Sequence, residues 1–150
     1  MKNIFKNKTI LITGGTGSFG LAVTRKLLFE GLKEIRIFSR DEKKQEVLRK
    51  KLDNKKLKFI VGDVRDQESL NRALENVNFV FHAAALKQVP SCEFYPMEAI
   101  KTNIIGTQNL INACKIHNVK KAVFLSTDKS VYPINAMGMT KALMEKLAIS

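Results

Sequence analysis

The stretch from Thr9 to Gly20, TILITGGTGSFG, constrains the fold more than any other part of the chain. Thr9 to Ile12 is apolar and β-branched, and it is short enough for a buried strand. It runs into Gly14, Gly15, Gly17 and Gly20, and then into Leu21-Ala22-Val23-Thr24-Arg25-Lys26-Leu27-Leu28, which has helical periodicity. A glycine-rich turn between a strand and a helix is the context in which a G-x-G-x-x-G pattern carries meaning. Gly14 and Gly15 allow a tight turn, Gly17 allows close approach of a pyrophosphate, and Gly20 allows the helix to pack on the sheet. The turn residues Gly14, Thr16, Gly17, Ser18, Phe19 and Gly20 are therefore candidates for a phosphate cradle at the positive end of a helix predicted over Gly17 to Glu30. Gly31 provides its stop.

The rest of the chain repeats the alternation. Glu34 to Ser39 reads as a second strand and Leu57 to Val61 as a third. Asp66 to Leu74 reads as a short helix with an acidic cap, Val77 to Phe81 as a fourth strand and Ala122 to Leu125 as a fifth. A long amphipathic helix is predicted from Met97 to His117, with Pro96 at its mouth and Gly106 inside it. A final helix starts at Asn135 and continues to Ser150. The reading is a doubly wound parallel sheet, Rossmann-like, in the order 3-2-1-4-5. At 150 residues the chain is one domain's worth.

Positions at the carboxyl ends of these strands are where such sheets hold ligands. After the second strand stand Ser39 and Arg40, with Lys43 one helical turn on. A basic residue here suits a ribose 2′-phosphate, whereas an acidic one suits a 2′-hydroxyl, so NADP is expected, with NAD as the alternative and Asp41 as the residue that argues against it. Asp63, with Val64 beside it, can accept from an adenine amino group. After His82, the small residues Ala83, Ala84 and Ala85, followed by Lys87, leave room for a ligand along the backbone. The fifth strand ends in Ser126-Thr127-Asp128-Lys129. Lys141 lies twelve residues further, with Met137 on the same helix face.

Composition removes other classes. The 45% apolar and 27% charged fractions are those of an ordinary globular protein. No apolar run approaches the roughly 18 residues that span a bilayer, and MKNIFKNKT has no signal-type core, so membrane insertion is not expected and a cytoplasmic location is. The net charge of +12 is concentrated between Lys43 and Lys58 without interleaved aromatics, which reads as a solvated helix face rather than a nucleic-acid site. Cys92 and Cys114 are isolated, and His82 and His117 lie 35 positions apart, so a metal site is not expected.

The segments TGGTGSFG, FSRDEKKQ, GDVRD, HAAALKQVP, EFYPMEAIKTNIIGTQNLINA and STDKSVYPINAMGMTKA together resemble the N-terminal half of an extended short-chain dehydrogenase/reductase. More narrowly they resemble the inverting UDP-N-acetylglucosamine 4,6-dehydratases and CapD-type capsular polysaccharide proteins often labelled UDP-glucose 4-epimerase. The resemblance implies a UDP-N-acetylhexosamine or UDP-hexose substrate, transient oxidation at sugar C4, proton loss at C5, departure of water from C6 and hydride return. By matching position it implies Lys129 as the C5 base, Asp128 as the acid at the C6 hydroxyl, Thr127 as a sugar partner and Lys141 on the nicotinamide ribose. It implies a homo-oligomer and a substrate lobe beyond residue 150, leaving Leu143, Met144 and Leu147 as an exposed apolar face. Residues 1–150 are then a partial NADP-binding domain, inactive alone. The family's usual tyrosine is Met137 here, and a thioether takes no proton, so the base at C4 is unassigned. A 4-epimerase and a non-catalytic NADP-binding module are the alternatives.

Overall fold

The computed structural model describes residues 3–150. The strands are β1 (Thr9–Thr13), β2 (Glu34–Ser39), β3 (Leu57–Val61), β4 (Phe79–His82) and β5 (Lys121–Phe124). They form one parallel sheet in the order β3-β2-β1-β4-β5, as expected. The helices are α1 (Ser18–Leu27), α2 (Glu42–Leu52), α3 (Gln67–Leu74), α4 (Val89–Phe94), α5 (Pro96–Ala99), α6 (Gly106–Ile116) and α7 (Ala136–Ile149).

Alternation along β1 splits the core in two, because successive side chains leave opposite faces of a strand. Leu11 packs with Phe38, Leu70, Leu74, Val80 and Leu110 on the face covered by α3 and α6. Ile10 and Ile12 pack with Leu27, Ile35, Ile37 and Leu48 on the face covered by α1 and α2. All five residues of β1 are buried, which is why its sequence reads as an unbroken apolar run. Chain order reverses on the two sides of β1, and the carboxyl ends of β1 and β4 border the crevice that results.

Several boundaries differ from the sequence reading. The first helix ends at Leu27, because Phe29 and Glu30 bond three residues back, to Lys26 and Leu27, and tighten the chain toward Gly31. The long helix expected over Met97–His117 is interrupted by a π-helical turn at Ile100–Ile105. That turn carries the fully buried Asn103, whose amide donates to Leu86 O (2.9 Å) and Thr140 Oγ1 (3.0 Å) and whose oxygen accepts from Leu86 N–H (2.8 Å). Helix α4 has no counterpart in the sequence reading; Pro90 sits in its first turn, and Cys92 packs against Ala99 and Met137. Met144 does not join an exposed face with Leu143. It is 1% exposed beneath Lys141, whereas Leu143 is 52% exposed. Among the described residues no helix is long and apolar enough to cross a membrane, and no cluster of three metal-ligating side chains forms.

Candidate functional site

A cavity of about 540 Å³ opens along the carboxyl ends of β1, β2 and β4. Of the expected residues, Gly14, Thr16, Gly17, Ser39, Arg40, Asp63, Val64, Ala83, Ala84, Ala85 and Lys87 line it. A smaller cavity of about 170 Å³ continues toward β5, lined by Ser18, Phe19, Gly20, Thr127, Met137 and Lys141. Gly14, Gly17, Ala83, Ala85 and Lys87 border both, so the two form one crevice with its glycine turn in the middle.

The turn is built to be approached. Gly14 has φ +64°, and a Cβ there would lie 2.7 Å from Ala84 N. A Cβ on Gly20 would lie 2.5 Å from Gly15 Cα, so only glycine lets α1 start against the turn. Gly17 caps α1 without a side-chain acceptor, and the first turn contains no carboxylate. The opening amides of α1 therefore keep their hydrogen-bonding capacity for an anion. Thr102 also lines the larger cavity, and its Oγ1 is buried without a hydrogen-bond partner. These features fit an elongated ligand with phosphates at its middle.

At one end of the crevice, Arg40 Nη1 lies 3.8 Å from Asp63 Oδ2, and Arg65 grips the same carboxylate from Nε (2.9 Å) and Nη2 (2.7 Å). Burial opposes the charge on Asp63, but the Arg65 hydrogen bonds and the two guanidinium charges prevail and hold its pKa below the ordinary value. Lys43 is a correction. Asp41 caps α2 by accepting from Lys44 N–H (2.9 Å), a helical phase that turns Lys44, not Lys43, to the cavity. The Asp-x-x-Lys cap spacing was the signal available for that assignment.

At the other end Lys141, 6% exposed, donates to Leu125 O (2.5 Å) and lies 3.3 Å from Met144 Sδ. Burial lowers its pKa to about 8, with Glu145 opposing the shift. Met137 shares its face, as the four-residue spacing requires. Asp128 and Lys129 are not brought into the crevice. They occupy a short 3-10 turn, 3.7 Å apart, with side chains 89% and 52% exposed. A hydrogen bond from Thr127 and the Lys129 charge lower the Asp128 pKa, so within these residues it is a carboxylate and not an acid. The turn lies over α7, whose Glu145 accepts hydrogen bonds from Ser126 and Ser130.

Beneath the crevice a buried hydrogen-bond chain has one possible direction. Thr107 Oγ1 donates to Asn103 O (2.8 Å), so it must accept from His82 Nε2 (3.2 Å). His82 Nδ1 is then the acceptor for the Thr13 hydroxyl (2.6 Å), which itself accepts from Ala84 N–H (3.4 Å). His82 thus ties β1, the alanine floor and the π turn together as a neutral imidazole, and burial, with the nearby Lys141 charge, lowers its pKa to about 3.

A parallel sheet with a glycine turn behind β1 and a crevice at the switch point defines a doubly wound α/β domain of the Rossmann type. The model of the polysaccharide biosynthesis protein family matches residues 10–150, and the chain belongs to that family. It is 63% identical over 151 residues to a UDP-glucose 4-epimerase of Rickettsia rickettsii, covering 98% of this chain and 44% of the relative. The chain therefore spans under half the length of the curated relatives it matches. Among solved structures, Pen from Bacillus thuringiensis superposes with a TM-score of 0.94 at 42% identity, over 96% of this chain and 44% of that one. MoeE5, solved in complex with UDP-glucose and NAD, superposes with a TM-score of 0.80 at 28% identity, over 94% of this chain and 48% of that one.

Proposed function

We propose that this chain is the dinucleotide-binding part of a nucleotide-sugar-modifying enzyme that uses NADP and dehydrates UDP-N-acetylglucosamine across C5 and C6. The observation that carries the reading is the continuous crevice, with cationic and hydroxyl groups at the β2 end, bare helix amides at its centre and Lys141 at the β5 end. Ser39, Arg40 and Lys44 hold the adenosine phosphate, Asp63 accepts from the adenine amino group, the Gly14–Gly20 turn holds the pyrophosphate, and Lys141 holds the ribose next to the nicotinamide. When bound, the dinucleotide supplies reversible hydride removal from the sugar.

The chain's own groups handle protons. Lys129 as the neutral amine takes the C5 proton, made acidic by a ketone at C4, and Asp128 as the protonated acid delivers a proton to the departing C6 hydroxyl. Asp128 needs cover for that task, because in the exposed turn it stays ionised. Thr127, hydrogen-bonded to Asp128 (3.1 Å), orients that carboxyl and meets the sugar. The complete enzyme is a homo-oligomer acting in the cytoplasm, and residues 1–150 are its cofactor-binding portion without turnover of their own.

A second reading, UDP-hexose 4-epimerisation, is favoured by the name of the Rickettsia relative. The two are separated with a complete relative that carries the Ser126–Lys129 sequence. Given UDP-N-acetylglucosamine in deuterated water, a dehydratase yields a product lighter by one water with deuterium at C5, and Lys129→Ala stops that exchange. An isomer of unchanged mass, with no label at C5, refutes dehydration.

A further inference from the structure

Gln45 of α2 is 2% exposed and lies behind the cavity wall, so it touches no ligand directly. Its Nε2 lies 2.8 Å from Ile60 O, 3.2 Å from Ser39 O and 3.0 Å from Ser39 Oγ. Two of these neighbours are carbonyl oxygens, which accept only, so the amide nitrogen and not its oxygen must face them. That nitrogen shares two protons among the three oxygens and has no lone pair to accept the proton of the Ser39 hydroxyl. The Ser39 hydroxyl oxygen is therefore an acceptor toward Gln45, and its own proton is left to point elsewhere. Among the described residues no acceptor receives it, and Ser39 lines the larger cavity.

The surroundings repeat the same polarity. Arg40 and Lys44 line the cavity beside Ser39. Both carboxylates on that rim are already engaged by cations: Asp41 accepts from the backbone of Lys44 (2.9 Å) and lies 3.5 Å from its ammonium group, and Asp63 is gripped by Arg65 and lies 3.8 Å from Arg40. A ribose 2′-hydroxyl brings a proton that seeks such a carboxylate. A 2′-phosphate brings only acceptor oxygens, and hydrogen bonds to it are charge-assisted, about twice as strong as neutral ones.

We propose that Gln45 is a positioning residue for cofactor choice: by occupying the Ser39 oxygen it presents the Ser39 hydroxyl as a donor, beside Arg40 and Lys44, to a 2′-phosphate. The inference rests on the dinucleotide reading above. Gln45 does not touch the cofactor; it acts through the direction of one proton.

The test is a double-mutant cycle read by fluorescence titration of this chain with NADPH and with NADH. Ser39→Ala is expected to weaken NADPH binding by roughly tenfold and NADH by less than about twofold. Gln45→Met, which keeps the side chain's length and removes its donors, is expected to lower the NADPH/NADH ratio in the same direction. Combining it with Ser39→Ala is expected to lower the ratio no further, because Gln45 acts through Ser39. A ratio unchanged in Ser39→Ala overturns the proposal even if Gln45→Met does not fold. So does a Gln45→Met effect that falls equally on both dinucleotides or persists without the serine. If the unaltered chain binds neither dinucleotide, the cofactor reading itself fails, an outcome distinct from binding without preference.

Discussion

Acidification of the folded chain gives the sharpest test of its buried polar chain. His82 has an ordinary pKa of 6.5, and burial, with Lys141 adding to it, lowers the folded value to about 3. Between those values the unfolded chain binds a proton that the folded chain refuses. The stabilisation is thus fully present above pH 6.5 and is lost progressively as pH falls toward 3. With 1.36 kcal/mol per pK unit, moving from pH 7 to pH 5 removes about 2 kcal/mol. Depressed carboxylates such as Asp63 and Glu145 act in the same direction but at lower pH, so the window from 7 to 5 belongs to His82. Urea denaturation followed by circular dichroism at pH 7, 6 and 5 measures the slope. His82→Asn is expected to be less stable at pH 7 and to lose less than about 0.5 kcal/mol across that range. Equal stability of the unaltered chain at pH 7 and 5, or an undiminished slope in His82→Asn, would refute the reasoning.

Two further outcomes follow from the crevice. Lys141→Met is expected to stabilise the fold by about 1–3 kcal/mol at pH 7, because it removes a buried cation held mainly by one carbonyl; the gain should fade as pH rises above about 8, where Lys141 releases its proton. Denaturation midpoints at pH 7 and 10 check the sign. Gly14→Ala is expected to cost about 1–3 kcal/mol through its positive φ and the 2.7 Å approach to Ala84 N, and to abolish dinucleotide binding, measured by thermal melting and NADPH titration.

The sheet order and most of the crevice follow from local sequence. Strands and helices of the right lengths alternate, right-handed crossovers admit few orders, and ligand-facing residues stand next to strand ends, where chain position and spatial position coincide. The glycine turn, Ser39-Arg40, Asp63 and the three alanines were legible for that reason. What depended on contacts between distant segments was not. Lys44 faces the crevice because Asp41 caps a helix; Asn103 widens a helical turn because Leu86 and Thr140 receive its amide; Met144 is buried because Lys141 lies over it. The exposure of Asp128 and Lys129 likewise reflects how the turn after β5 lies on α7. Periodicity and spacing report on neighbours within one element, whereas the protonation of His82 and the polarity of Ser39 are set by partners that only the packed sheet brings within hydrogen-bond reach.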